Sequence, residues 1–348
     1  MEVHADAPAG NRLGFCHEGF VTGPEGPTVA KVIPQIARTG YSAVEIGMPF
    51  IRPLLPPGEI PASERELIRQ VAKDSGVALY THWVGSMDRD GILPARLGFY
   101  PHIAGVELDM SGKPVSSEPD VYNPTIQGKT IGLMRDHFGF AGDIGALAVT
   151  YGSPMTRNKP PGYGRTDEGK DYDNRCFDFW CAMGRLADEF QIPFGLEPLV
   201  ATWRGGETNH VVNSTAAIWI ADRVRQETGS TYFGVTNDRK AMEGELPPSP
   251  KRILDACREY TVHIHLNDPT DRVWGPCDQP GLKMRMAPGY GNTGFVDVFQ
   301  AAKENGYGGA FSVETFGNYP SAMEIAQTAF GKLTGDAAEA GLELITLR

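Results

Sequence analysis

Cysteine is scarce in this 348-residue chain: there are five, Cys16, Cys176, Cys181, Cys257 and Cys277, an odd number with no CxxC pair. That excludes a disulfide framework and argues against a thiolate metal site; the five read as core residues of a protein kept in a reducing compartment. No run of 18 apolar residues occurs, so no segment is expected to span a membrane. The opening MEVHADAPAGNRLG has neither a basic start nor an apolar stretch, so no secretory signal is expected, and the location expected is cytoplasmic. Basic excess is also missing. A formal charge of −11 lacks the electrostatic footprint of a nucleic-acid binder. The first apolar run continues into CHEGFVTGPEGPT without a GxGxxG, which excludes the dinucleotide fingerprint of a Rossmann sheet. There is no internal repeat and no low-complexity tract. A chain of this length, 41% hydrophobic, can bury a large core without cross-links.

What is present is alternation. Strands are expected at Arg12–His17, Ala43–Gly47, Val77–Trp83, Ala146–Tyr151, Ile192–Leu199, Tyr232–Asp238, Thr261–Asn267 and Ala310–Thr315. Several are continuously apolar, as in a parallel sheet covered on both faces. Helical patterns lie between them. SERELIRQVAKDSG offers Ser63 with Glu66 three residues on as a capping box, FDFWCAMGRLADEF begins at Phe177, and FVDVFQAAKENGYGG stops on glycines. Eight strands with helical crossovers and no Rossmann fingerprint point to one α/β domain over 1–348, a (β/α)8 TIM barrel. Two connections are overlong, from about residue 84 to 143 after strand three and from 152 to about 171 after strand four. Both leave the face where barrels keep their active sites, and they read as lids or interface regions.

The last four strands end alike. FGLEPL carries Glu197, FGVTND carries Asp238, VHIHLND carries His265 and AFSVET carries Glu314. In a barrel these four points surround one mouth. A lone strand-end carboxylate commonly caps a helix or solvates a loop. Four metal-capable side chains on consecutive strands are harder to dismiss, because burying that charge without a cation is costly. Three carboxylates and one imidazole form an oxygen-rich set suited to Mn²⁺, Mg²⁺ or Co²⁺, with Mn²⁺ the first expectation.

These segments, in this order, resemble the xylose isomerase-like barrels, which include sugar-phosphate isomerases/epimerases and ketose 3-epimerases. GYSAVEIG with Glu45 resembles the family's second-strand segment, FGLEPL its fifth-strand glutamate, VTNDRKA its sixth-strand aspartate and HIHLND its H-x-H-x-x-D run. APGYGNTGFVDVFQAAKENGYGGAFSVE is similar to its final P-G-x-G segment and last glutamate. The resemblance implies one divalent metal on Glu197, Asp238, His265 and Glu314, with Glu197 and Glu314 as the acid/base pair. Such a pair takes a proton from the carbon beside a carbonyl and returns it to an enediolate, on the same carbon for epimerisation or the next for isomerisation. The chain departs from the family at Ala241, beside Lys240, where many members have a histidine. Asn237 precedes Asp238 and is the competing ligand. The multi-histidine set of the family's DNA-repair endonucleases is missing, which speaks against a three-metal nuclease.

The expected activity is therefore metal-dependent sugar isomerisation or epimerisation. The alternative is a lyase cleaving an oxidised (3-oxo) glycoside, as in the large subunits of C-glycoside deglycosidases, which work with a small partner chain. A metal-dependent hydrolase and a non-catalytic sugar-binding barrel complete the field. Substrate contacts are expected from His263, Arg204, Trp83, His17 and Arg272, each with a bland alternative in packing or solvation. His82 is a second possible base. Asp268 either orients His265 or caps the next helix. Trp203, Trp274, His210, His102 and His137 are weaker candidates. The partners expected are a carbohydrate and further copies of the chain, or a small second subunit, with no nucleic acid and no membrane.

Overall fold

The computed structural model describes residues 10–17, 28–48, 55, 57–83, 124–152, 158–159, 167–198, 208–211, 213–239, 249–269, 285–291, 293–314 and 322–347. Eight parallel strands close a barrel: β1 (Arg12–Cys16), β2 (Ala43–Met48), β3 (Ala78–Trp83), β4 (Val149–Tyr151), β5 (Phe194–Leu196), β6 (Phe233–Asp238), β7 (Thr261–Leu266) and β8 (Ala310–Val313). Each strand pairs with its sequence neighbours, and β8 returns to β1 with Arg12 opposite Ala310 and Phe15 opposite Val313. All eight expected strands are present; seven are trimmed by one to three residues at an end, and β2 runs one residue longer, to Met48.

Eight helices alternate with these strands among the described residues: α1 (Val29–Thr39), α2 (Ala62–Ser75), α3 (Pro124–Ile144), α4 (Asp167–Phe190), α5 (Ser214–Thr228), α6 (Pro250–Cys257), α7 (Val296–Glu304) and α8 (Ala322–Ala340). Their ends follow local chemistry. Asn213 caps α5 by accepting from the Ala216 N–H at 2.8 Å, and Ser249 caps α6, whose first residue is Pro250. α1, α2 and α5 stop on Gly40, Gly76 and Gly229, all left-handed. The capping box expected at Ser63 does not form. α2 starts one residue earlier behind Pro61, with no side-chain cap, and Glu66 pairs with Arg69 on the exposed face. α3 also corrects the first long connection. Residues 124–144 are the barrel's third outer helix, packed against α2 and α4, so the overlong part ends at 123.

The apolar core lies between strands and helices, where Phe194 packs on Phe233 and Tyr151 on Trp180 at centroid distances of 5.2 and 5.5 Å. Inside the barrel the layers change character along the axis. Ala43, Tyr80, Ala148 and Ala310 form a small apolar cluster near the amino-terminal end. One layer up are Glu45, Thr150, Thr236, His263 and Ser312, all buried. Above those, at the carboxyl ends, sit His82, Glu197, Asp238, His265 and Glu314. The period of two along each strand carries a polar stripe up the interior while the alternate residues face the helices. After α8 the chain returns to the barrel, where the Ile345 N–H donates to the Asn11 carbonyl at 2.7 Å. The described cysteines, Cys16, Cys176, Cys181 and Cys257, are buried, and among the described residues no disulfide forms. Among the described residues no helix is long and apolar enough to cross a membrane.

Candidate metal centre

Glu197 follows β5, Asp238 ends β6, His265 is the fifth residue of β7 and Glu314 follows β8. One donor atom from each lies within 4.8 Å of the other three, and all four residues are at most 1% exposed. An octahedral ion with ligands at about 2.1 Å places donors about 3 Å apart when adjacent and about 4.2 Å when opposite. The set therefore fits a divalent cation after shifts of a few tenths of an ångström. Asp238 is held by Asn267, whose amide donates to Oδ1 at 3.1 Å. Asn237, the competing ligand, turns away and donates to Thr261 at 3.0 Å.

His265 joins two groups. Nδ1 lies 2.9 Å from Glu197 Oε1 and 3.5 Å from Glu314 Oε2, while Nε2 lies 3.0 Å from Glu45 Oε1. Burial pushes this imidazole down, but Glu45 and Glu197 outweigh it and lift its pKa to about 10. The Glu45 carboxyl is pushed up by burial, and His265 and His263 more than offset that, holding it well below the usual carboxylate range. His82 completes the mouth. Its Nε2 is 3.6 Å from Glu197 Oε2 and its Nδ1 is 3.6 Å from Glu314 Oε1, and neither nitrogen forms a hydrogen bond among the described residues. Each glutamate thus turns one oxygen toward His265 and the other toward His82. Burial keeps His82 below its ordinary pKa, with Glu197 opposing. Gly152, just past β4, makes this packing possible. A Cβ there would fall 2.1 Å from Glu197 Oε2 and 2.3 Å from His82 Nε2.

The other expected residues fall elsewhere. His263, expected to contact substrate, lies one layer below the mouth. Its Nε2 is 2.9 Å from both Glu45 Oε2 and Ser312 Oγ, and its ring stacks on Tyr80 at 4.8 Å. Two residues along a strand are more than 6 Å of depth, which the sequence pattern does not convey. Trp83 faces out of the barrel because it follows inward-facing His82; it packs on His137 of α3 at 5.6 Å. His17 accepts the Gly47 N–H at 3.0 Å and so pins β1 to β2. Asp268 does not reach His265. It accepts the N–H groups of Gly291 and Thr293 at 2.9 and 3.1 Å, fixing the loop into α7, and a Cβ at Gly291 would fall 2.3 Å from its carboxylate. His210 pairs with the half-exposed Asp173 at 3.2 Å. Arg204, Arg272, Trp203, Trp274, His102, Lys240 and Ala241 lie outside the described residues. The residue missed as a participant was Glu45. Its signal was an acid in an otherwise apolar strand, AVEIGM, at an inward position. A cleft of about 420 Å³ lined by Tyr80, Arg225 and Tyr260 opens on the opposite face, where barrels keep stability rather than chemistry.

His137 gives a prediction on stability. It is fully buried, neither ring nitrogen has a partner among the described residues, and burial, with a smaller push from His82, lowers its pKa to about 3. The unfolded imidazole titrates near 6.5, so below that pH the unfolded chain binds a proton that the folded chain refuses. The contribution is intact above about pH 6.5 and is lost as pH falls toward 3, by about 2–3 kcal/mol between 6.5 and 4.5. His137→Phe, which keeps the contact with Trp83, is expected to shrink the drop in Tm between pH 7 and 4.5. An unchanged drop removes His137 as its cause.

The sequence model of the xylose isomerase-like TIM barrel family matches residues 33–335, most of the chain. The chain belongs to that family. Among solved structures it is similar to the D-allulose 3-epimerase of Methylomonas sp. in complex with D-allulose, at 16% identity and a TM-score of 0.64 over 94% of this chain and 98% of that one. It is also similar to an L-ribulose 3-epimerase, at 14% identity and a TM-score of 0.66 over 95% and 96%. The 3-keto-D-glucoside 4-epimerase of E. coli aligns at 14% identity and a TM-score of 0.63 over 93% and 98%. At these identities the likeness is one of fold. No curated protein matches the sequence at a significant level.

Proposed function

We propose that this xylose isomerase-like barrel is a divalent-metal-dependent sugar epimerase or isomerase that abstracts a proton from the carbon beside a carbonyl. The observation that carries the reading is the buried gathering of donor atoms from Glu197, Asp238, His265 and Glu314 within 4.8 Å at the carboxyl end of the barrel. Manganese is the first assignment, with magnesium and cobalt next, since three carboxylates favour hard or borderline ions. When bound, the ion supplies Lewis-acid polarisation of the substrate carbonyl. The chain supplies the proton chemistry. Glu197 and Glu314 each direct one oxygen toward the ion-binding set and the other toward His82, 3.6 Å away. One carboxylate takes the proton from the hydroxyl-bearing carbon and the other returns a proton. Return to the same carbon from the opposite face epimerises; return to the neighbouring carbon isomerises. His82, buried and without a hydrogen bond among the described residues, is placed to receive a substrate hydroxyl beside that pair.

The structural neighbours act, by their names, on ketoses and on a 3-keto-glucoside, sugars whose carbonyl flanks a hydroxyl-bearing carbon. That supports a carbohydrate substrate and keeps a second reading, elimination from a 3-oxo-glycoside, in which the same first step expels a leaving group. That reading carries with it a small partner chain; otherwise a homo-oligomer working in the cytoplasm is the proposal. The test is NMR in D₂O of manganese-loaded protein with D-fructose, D-allulose, L-ribulose and a 3-oxo-glucoside. Deuterium on the carbon beside the carbonyl, with signals of a new epimer or isomer, is the result expected. Aglycone release selects the lyase. Absence of exchange with every sugar overturns both and leaves the non-catalytic barrel.

A further inference from the structure

We propose that Glu45 is a positioning residue for the ion-binding set, fixing the face and tautomer of His265 from beneath. The inference rests on the metal reading above and adds a residue to it. The Glu45 carboxylate is completely buried in β2, and each of its oxygens takes a different histidine of β7. Oε1 accepts from His265 Nε2 at 3.0 Å, and Oε2 accepts from His263 Nε2 at 2.9 Å and from the Cys16 thiol at 3.5 Å. Both His265 nitrogens face a carboxylate, which only accepts, so the ring without an ion donates from both; once a cation occupies the Glu197 side, the one remaining ring hydrogen sits on Nε2, against Glu45. That leaves the Nδ1 lone pair on the side where Glu197 Oε1 lies at 2.9 Å and Glu314 Oε2 at 3.5 Å. The ring then presents a donor atom to the set without choosing between two orientations.

Glu45 is itself held. His263 is fixed by Ser312 Oγ at 2.9 Å and by the Tyr80 ring at 4.8 Å, and Gly14 leaves room for the Ser312 hydroxyl, which a Cβ would approach to 2.9 Å. His263 and His265 are two residues apart on one strand, so a single carboxylate spanning both locks that strand's inward register to β2 across the barrel. A buried carboxylate serves only if its acceptors are filled, and here each oxygen has at least one donor. The arrangement is the carboxylate–histidine–metal relay by which outer groups orient ligands, and loss of such a partner ordinarily weakens ion binding 10–100-fold.

The test uses Glu45→Gln, which keeps shape and burial but turns an amide NH₂ toward one of two N–H donors. Manganese binding is titrated by the EPR signal of free Mn²⁺, and the ring ¹⁵N shifts of His265 are read in the magnesium-loaded wild type. The expected results are a 10–100-fold weaker Mn²⁺ affinity in Glu45→Gln, and a His265 ring protonated at Nε2 in the wild type. A merely structural role would lower Tm and leave the affinity of the folded protein unchanged. Affinity within twofold of wild type, or a proton on Nδ1 in the loaded wild type, overturns the inference while the proposed function stands. The wild-type spectrum decides even where the variant fails to fold. A wild type that binds no Mn²⁺ sinks the proposed function, and this inference with it.

Discussion

Glu314→Gln is expected to slow deuterium exchange into substrate by about 10³-fold, within the 10²–10⁴ that positioned proton transfer contributes. The amide keeps the shape of a side chain that is completely buried just past β8. It removes the basic oxygen 3.6 Å from His82 and one of the three carboxylates in the ion-binding set. The two losses are separable. Where only ion binding suffers, excess Mn²⁺ restores exchange; where the proton-transferring oxygen is gone, saturation with Mn²⁺ does not. Stability is expected to move the other way. Three carboxylates sharing donor positions within 4.8 Å repel one another, so the ion-free variant should melt at or above the wild-type temperature. Wild-type exchange in Glu314→Gln would remove Glu314 from the acid/base pair. Glu197→Gln is the matching experiment on the other oxygen facing His82.

Gly152→Ala is the second large effect, and it concerns a residue with no chemistry of its own. The residue follows β4, and its N–H donates to the Trp83 carbonyl at 3.0 Å, so its backbone is tied to β3. An added Cβ would fall 2.1 Å from Glu197 Oε2 and 2.3 Å from His82 Nε2. Both atoms are buried side-chain ends, so one or both side chains must swing out of their places at the mouth. Moving Glu197 displaces both the oxygen aimed at the ion and the oxygen proposed to carry the proton. Misplacement by about 1 Å costs on the order of 10²-fold, so kcat/KM should fall at least that far. The barrel should still close, because the Gly152 hydrogen bond is made by the backbone. Circular dichroism with a Tm a few degrees lower, beside the lost activity, is the expected pair of readings. An active Gly152→Ala would mean that the glutamate has a second productive orientation.

Much of this architecture was legible in the sequence for a physical reason. Parallel strands covered on both faces need continuous apolar runs, and ALAV at 146–149 and FGL at 194–196 announce themselves that way. The gathering of Glu197, Asp238, His265 and Glu314 was legible because polar side chains ending such runs have one place to go, the open end of the barrel. Family resemblance then supplied their roles. α3 was hidden by its composition. Glycines at 128, 132, 139 and 142 weaken helix propensity, and the helix is made by packing against α2 and α4. Depth was illegible as well. The period of two says that His263 and His265 share a face, but not that one meets the mouth and the other the layer beneath. The sequence marks Glu45's strand but not its contacts, because its partners, His263 and His265, lie about 220 residues away. Of the two readings open for Trp83, packing is the one observed: if His82 points inward, its neighbour cannot.

The central claim is an ion held by four side chains at the barrel mouth. The most direct measurement is a Mn²⁺ titration of the metal-stripped wild type, with elemental analysis of the loaded protein, beside Asp238→Asn, a variant outside the acid/base pair. One divalent ion per chain, bound tightly by the wild type and weakly by Asp238→Asn, is the result predicted. A wild type that remains free of manganese, magnesium and cobalt after supplementation would contradict the account.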